Sequence, residues 1–400
     1  MHREHGFSLI ELTLAMGIML IVTAGVFSML NPAQGAFATQ PEVSDMQQRL
    51  RVATDTLYKD MVMAGGGAYQ GQRSGSLLSF FAPVMPYRNG STLDDPAGSF
   101  TCRGGASGAP PAGYSCPTDS SDTITLMYVP PTMSQTGLAD KGPSLNSAEI
   151  GVTAEPGCPA NDPLCGFHEG MTVMMYDDSG NFDTFTITNV QEGGQLHIQH
   201  NEEKLTYTGY DPATTKIVQA ANVVYYLNAT TNQLMYYDGT RNADIPVVDN
   251  VVALNFEYYG DPQPPIVRNP TAVSTSWVTT YGPKPKAGVA NCVFDGSVQP
   301  QPLLPALGAA NSGLVKLTRT QLTDMDHVCP SAGSTNSYDA DLLRIRKIGV
   351  TVRVQAALAA LRGPASTLFA KGGTSNSATR WVPDQEIRFQ VTPRNLNLGR

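Results

Sequence analysis

Residues 7–30 form an apolar run of 24 positions with a single charge, Glu11. As a helix rising 1.5 Å per residue, such a run spans about 36 Å, enough for a hydrocarbon core of about 30 Å. Residues 1–6 before it are short and polar, and Arg3 among them favours an orientation with the N-terminus in the cytoplasm. Asn31 and Pro32 follow, and the missing proline amide predicts a kink or interruption there, with a break across residues 35–41. Helical spacing then returns. Val43, Met46, Leu50, Ala53, Leu57, Met61 and Ala64 recur at steps of three and four, while Gln47, Gln48, Arg49, Arg51, Asp55 and Lys59 fall mostly off that stripe. Gly65, Gly66 and Gly67 stop the helix. Residues 31–64 thus read as the amphipathic second half of a long helix whose stripe packs on a β-sheet.

Residues 65–122 are rich in glycine and proline and read as loop. From residue 123 to 400 the period changes to two, the signature of strands. Ile124, Leu126 and Tyr128 alternate with polar or smaller neighbours. Met171, Val173 and Met175 lead into a turn at Asp177, Asp178, Ser179, Gly180 and Asn181, and Phe185 and Ile187 continue beyond it. Leu196 and Ile198 follow. Val223, Tyr225 and Leu227 are separated from Leu234 and Tyr236 by a turn around Thr230, Thr231 and Asn232. Val252, Leu254, Phe256 and Tyr258 make another run, as do Ile348, Val350, Val352 and Val354, and finally Ile387, Phe389 and Val391. The stretch 260–340 is rich in Pro, Gly, Ser and Thr, and part of it reads as a long surface loop. No repeat of fixed period occurs. The fold class expected is α+β, with a long N-terminal α-helix, its first half membrane-spanning, and a mostly antiparallel β-rich head.

Charge narrows the function. Lys and Arg total 26 and Asp and Glu 34, a net charge of -8. Phosphate binding rests on clustered cations, so no nucleic-acid partner is expected. Charged residues are 15% of the chain, too few for a charge-driven disordered protein. Gly (38) and Pro (29) together point to many turns and not to a helical bundle.

Glu11 is the anomaly of the apolar run. A carboxylate in a membrane span costs about 2.5–3.5 kcal/mol on insertion scales. Either it lies near the headgroups and stays hydrated, or it has a specific cationic partner. The residues around it, Gly6, Phe7, Ser8, Leu9, Ile10, Glu11 and Leu12, resemble the signal of type IV pilins and type II secretion pseudopilins. The resemblance implies cleavage between Gly6 and Phe7 by prepilin peptidase and N-methylation of Phe7. It also implies an assembly role for Glu11, paired with the new α-amino group of a neighbouring subunit. An ion pair in low dielectric would fix the register between subunits. A second pattern, Leu57, Asp60, Ala64 and Gly65, resembles the helix end of the larger minor pilins of the W type and of the J-type pseudopilin. The run 251–259, the later strand around Ile348 and the closing Pro393, Arg394 and Asn395 are similar to the same group. A rival reading rests on Ala36, Phe37 and Ala38, which fit ordinary signal peptidase and would release a soluble protein starting at Thr39. The apolar run is longer than the h-region of such a signal, which speaks against it.

Six cysteines, Cys102, Cys116, Cys158, Cys165, Cys292 and Cys329, lie outside the membrane run. An even number in an exported head points to disulfides, and nearest-neighbour pairing is the expectation: Cys102–Cys116, Cys158–Cys165 and Cys292–Cys329. The spacings do not suit zinc. His197 and His200 stand on opposite faces of a strand and read as solvated polar residues, with Glu202 and Glu203 after them. Asp177, Ser179, Asn181 and Asp183 alternate like the start of a calcium loop but lack its glycine at the sixth place and its distal glutamate, and read as a turn. No nucleophile-and-base arrangement, P-loop or dinucleotide fingerprint occurs, so neither catalysis, a cofactor nor a metal is expected.

The resemblance therefore implies a minor pilin, a single-pass protein of the inner membrane with its head outside the cytoplasm, later part of the pilus at the cell surface. Its implied partners are prepilin peptidase, other major and minor pilins and, before assembly, inner-membrane lipid. The alternatives are a J-type pseudopilin of type II secretion, or an adhesin that binds a surface or cell through the inserted head loops.

Overall fold

The computed structural model describes residues 8–68, 75–88, 122–131, 134–139, 148–154, 158–159, 161–164, 166–193, 196–200, 205–238, 244–268, 277–309, 312–330, 337–376 and 378–397, with backbone alone at 30–38 and 379. Two compact units make up the chain: residues 1–50 with 354–385, and residues 51–353 with 386–400.

One helix, α1 (Leu9–Met63, 55 residues), runs from the first unit into the second. It passes through Pro32 and Pro41 without interruption, so the break expected at residues 35–41 does not occur. A proline removes only its own amide from the ladder, and the surrounding bonds of a long helix carry the chain across the gap. The stripe is as the spacing predicts. Met46, Ala53, Leu57, Met61 and Ala64 are fully buried and Leu50 nearly so.

Among the described residues twenty strands follow in chain order. The first ten are β1 (Val84–Met85), β2 (Thr123–Tyr128), β3 (Gln135–Gly137), β4 (Glu149–Gly151), β5 (Thr172–Tyr176), β6 (Phe182–Thr186), β7 (Asn189–Gln191), β8 (His197–Gln199), β9 (Lys216–Gln219) and β10 (Ala221–Asn228). The others are β11 (Gln233–Tyr237), β12 (Ile245–Asp249), β13 (Val251–Gly260), β14 (Val267–Arg268), β15 (Val278–Thr279), β16 (Val315–Leu317), β17 (Val328–Cys329), β18 (Tyr338–Asp339), β19 (Ile345–Val354) and β20 (Gln385–Val391).

A five-stranded sheet has the order β1-β2-β10-β11-β12 and a four-stranded sheet the order β16-β13-β19-β20. A smaller sheet, β3-β9-β5-β6, and the ribbon β4-β8-β7 share a separate core built from Ile150, Val173, Met175, Phe185, Ile198 and Ile217. Pairing is antiparallel at β1–β2, β2–β10, β10–β11 and β5–β6. The hairpin turns stand where the polar breaks fall. Asn232, at φ 57°, closes β10 to β11, while Asn228 Oδ1 accepts the amides of Thr230 and Thr231.

Strand β10 is buried on both faces, against the simple alternation of a one-sided sheet, because each face has its own cover. On one face the Tyr225 hydroxyl donates to Asp60 of α1. On the other, Val224 and Tyr226 pack with Met235 and Tyr237. The stretch 260–340 is no mere surface loop: Tyr281, Val293, Phe294, Leu317 and Leu322 are buried within it.

In the first unit, Glu42 is buried and accepts the amide of Ala357, tying α1 to the returning segment. Phe369 meets Trp381 edge-on at 5.6 Å, and both rings close over Gly363, where an added Cβ would stand 2.8 Å from either.

Candidate functional site

The N-terminal end of α1 is held by a reciprocal pair. Ser8 precedes the first helical residue and Glu11 is the third residue of the helix. The Ser8 amide and hydroxyl both donate to Glu11 Oε2, each at 2.9 Å, and the Glu11 amide returns a 3.3 Å bond to Ser8 Oγ. That is a capping box, written in the sequence as Ser-x-x-Glu, and it satisfies amides that the first helical turn leaves orphaned. The carboxylate also sits at the positive end of the helix dipole. Glu11 thus has local partners within its own chain through one oxygen, while Oε1 has no partner among the described residues. The three-residue spacing of Ser8 and Glu11 marks this box in the sequence. Gly6 and Phe7 lie outside the described residues.

Beyond the cap the helix is bare. Leu9–Met29 has a mean hydropathy of 2.2 and none of it is buried within the chain. Ile10, Met19, Leu20, Ile21, Phe27 and Met29 each expose two-thirds or more of their surface. At about 25 cal/mol per Å², so much apolar area demands a cover that the chain itself does not supply. By length and composition the segment is able to cross a membrane.

The other end of α1 is set into the head by polar contacts. Asp60 is buried and takes two phenols, Tyr128 Oη at 2.9 Å and Tyr225 Oη. Burial first, then the Asp60 charge, pushes both tyrosine pKa values far above the ordinary range. Gly65, at φ +77°, turns the chain out of the helix and donates its amide to the Met127 carbonyl of β2 at 2.9 Å. The Leu-x-x-Asp-x-x-x-Ala-Gly pattern therefore encodes a helix stop anchored on β2 and β10.

Elsewhere in the head, charged clusters serve structure. Arg88, 5% exposed, makes two bonds to Asp244 at 3.1 and 3.2 Å, and its guanidinium lies 3.9 Å from the centre of the Tyr237 ring. Burial works against the Arg88 charge, Asp244 outweighs it, and the pKa is raised. Asp177 accepts the amides of Ser179 and Asn181 and the side-chain amide of Asn181, which is the turn expected there. Asp183 points elsewhere, to Thr206 and the Tyr210 hydroxyl. Both carboxyls have pKa values raised by burial. His200 corrects the solvated reading: it is 3% exposed, because its ring packs 5.2 Å from the core residue Phe185 and its amide is held by the Ala148 carbonyl at 2.8 Å. His197 is half-buried, and Glu202 and Glu203 lie outside the described residues.

Asp324, Asp326, Asp339 and Asp341 with His327 gather near β17 and β18 in two overlapping groups, a cluster that sequence spacing did not reveal because the residues come from separate turns. Asp339 accepts the amides of Met325 and Asp341, and Asp341 pairs with the fully buried Arg344. Cys292 and Cys329 are joined by a disulfide. Cys158 is also disulfide-bonded, its partner falling outside the described residues, as do Cys102, Cys116 and Cys165.

A family described as the prokaryotic N-terminal methylation motif matches residues 1–27. No curated protein and no solved structure matches the chain. The motif is the signal of type IV pilins; it supports a prepilin-type protein and implies a membrane anchor, processing by prepilin peptidase and assembly with other pilins.

Proposed function

We propose that this chain is a minor pilin of a type IV pilus. Prepilin peptidase cuts between Gly6 and Phe7, Phe7 is N-methylated, and the mature subunit primes filament assembly from the tip. The observation that carries the reading is the methylation motif at residues 1–27 continued by a helix that buries none of Leu9–Met29. Such a surface suits lipid before assembly and the helices of other pilins afterwards. A large head with its own sheets and cores favours the tip, because repeated lateral packing of so bulky a head is sterically costly. The same size favours a pilus over the secretion pseudopilus, whose J-type member is usually much shorter.

Glu11 would act twice. In the free subunit Oε2 closes the capping box. In the filament the open Oε1 would take the methylated α-amino group of a neighbour, and in low dielectric that pair sets the axial register. Glu11→Ala is expected to leave cleavage intact and to reduce incorporation into filaments; normal incorporation would sink the register role.

The experiment that tests the whole reading is the N-terminus of the protein in its native host, by intact mass and terminal-peptide mass spectrometry. A start at methylated Phe7 is the expected result. A start at Thr39 would mean that the helix is discarded, and would overturn it.

A further inference from the structure

Strands β14 and β15 and the turn around Gln299 enclose a cleft of about 430 Å³. Trp277, Gln299 and Gln301 line it with three prolines, Pro265, Pro300 and Pro302. That volume is in the range of small-molecule sites, and the lining mixes apolar side chains with exposed polar groups.

The cleft is built on fixed ground. Arg344 is fully buried beneath the segments that form it. Its Nη1 reaches the carbonyls of Asp261 and Gln263 at 3.4 and 3.3 Å, and its Nη2 takes that of Pro305. Tyr281 Oη donates to the Gln263 carbonyl at 2.7 Å. On the opposite wall the Gln301 amide donates to Asp295 Oδ1 at 2.8 Å. The prolines lock φ on both sides. A ligand would therefore meet walls that need little ordering, which removes part of the entropic cost of binding.

The chemistry of the lining selects the ligand. None of the lining residues is charged. A phosphate, a carboxylate or a cation would lose hydration there without a counter-charge. Three polar groups have no protein partner among the described residues: the Trp277 Nε1–H, the Gln299 carboxamide and Gln301 Oε1. Gln301 Nε2 is already spent on the Gln299 carbonyl at 3.1 Å. The site thus offers one flat indole beside donors and acceptors of both kinds.

We propose that this cleft binds a neutral saccharide. The Trp277 indole takes the apolar face of a pyranose ring, and the Gln299 and Gln301 carboxamides pair with its hydroxyls. A pyranose has one apolar face and an equatorial belt of hydroxyls that donate and accept, which matches an amphipathic ring flanked by amides. A proline-rich peptide fits less well. The grooves that hold such peptides are aromatic-lined, and here one aromatic ring stands among prolines of the site's own wall. The inference goes beyond the pilin reading and does not depend on it.

The test uses the full chain in lauryldimethylamine oxide, a detergent without a sugar headgroup, with Trp381→Phe so that Trp277 alone reports. Tryptophan emission is titrated with maltose, lactose, cellobiose and N,N′-diacetylchitobiose. A saturable change with at least one of them, at a Kd on the order of 1 mM, is expected. In Gln299→Ala with Gln301→Ala, both on the solvent-facing turn, affinity should fall at least tenfold while far-ultraviolet circular dichroism stays the same. Trp277→Leu, followed by calorimetry, should abolish binding. Absence of a saturable change with all four sugars, or an affinity unmoved by the glutamine changes, would overturn the proposal. So would saturable binding of decaproline in place of any sugar.

Discussion

Arg88 and Asp244 show how single residues carry the head's specificity. The Arg88 guanidinium is nearly inaccessible, and Asp244 is its carboxylate, with the Tyr226 hydroxyl donating to the same group. Removing one partner of a buried pair leaves the other charge uncompensated, at a cost of about 3–5 kcal/mol. Asp244→Ala is therefore expected to destabilise the head by about that much in urea unfolding. Arg88→Met combined with Asp244→Leu should recover most of the loss, since an apolar pair of similar volume avoids the desolvation. If the double change were as damaging as the single one, packing rather than charge would be the cause.

Asp339 adds a pH dependence at the same scale. It is wholly inaccessible, and burial, then the neighbouring carboxyls of Asp324 and Asp341, push its pKa up to about 8, while the Asp341 amide pulls the other way. A folded pKa above the unfolded value of 3.8 means that the folded state holds the proton longer. Its stabilising contribution is full below the unfolded value and is lost as pH rises through about 8. Asp339→Asn mimics the protonated form and cannot ionise. The variant should match the wild type at pH 4 and below and become progressively more stable than it towards pH 8. The gap should widen by at most about 1.4 kcal/mol per pH unit. Parallel curves for the two proteins across that window would count against a buried proton at Asp339.

At the scale of elements, the termination of α1 depends on one glycine. Gly65 sits at φ +77°, and an added Cβ would lie 2.6 Å from Leu396 Cδ2. Left-handed backbone costs a residue with a Cβ about 1–2 kcal/mol, and the overlap adds to it. Gly65→Ala should lower stability by at least about 2 kcal/mol. Leu396→Ala in the same chain should relieve the overlap but not the backbone term, so a complete rescue would contradict the conformational part of the argument. This stop was legible in the sequence, because three glycines followed a clean stripe. The hairpins β5–β6 and β10–β11 were legible for a similar reason: alternation on both arms, and Asp, Asn and Gly between them. What hid was whatever depended on distance along the chain. The cover that Asp60 gives one face of β10 comes from far along the chain, and the buried cluster at Asp339 comes from separate turns, so no local period records either. The continuity of α1 through Pro32 and Pro41 was misread because proline's local cost was weighed without the length of helix on either side. The bond between Ser8 and Glu11 is legible too, once the three-residue spacing is read as a cap.

For the molecule as a whole, the contrast lies between a helix half that the chain leaves uncovered and a head that closes on itself. The head has its own sheets, at least one disulfide and buried side chains throughout. The span Leu9–Met29 contributes no buried surface to any of these. If its role is met only by lipid or by other subunits, removing it should cost the head nothing. A chain beginning at residue 30 is expected to be soluble without detergent. Its melting temperature should lie within about 2 °C of the full protein's, roughly the shift that about 1 kcal/mol produces in a chain of this length. The same chain should fail to enter filaments, because both Glu11 and the apolar surface are gone. A truncated head that aggregates, or that melts far below the full-length protein, would show that the apolar half of α1 belongs to the fold and not to its surroundings. Filament entry by the truncated chain would detach assembly from the helix altogether, and with it the reason for an apolar surface that the protein never covers by itself.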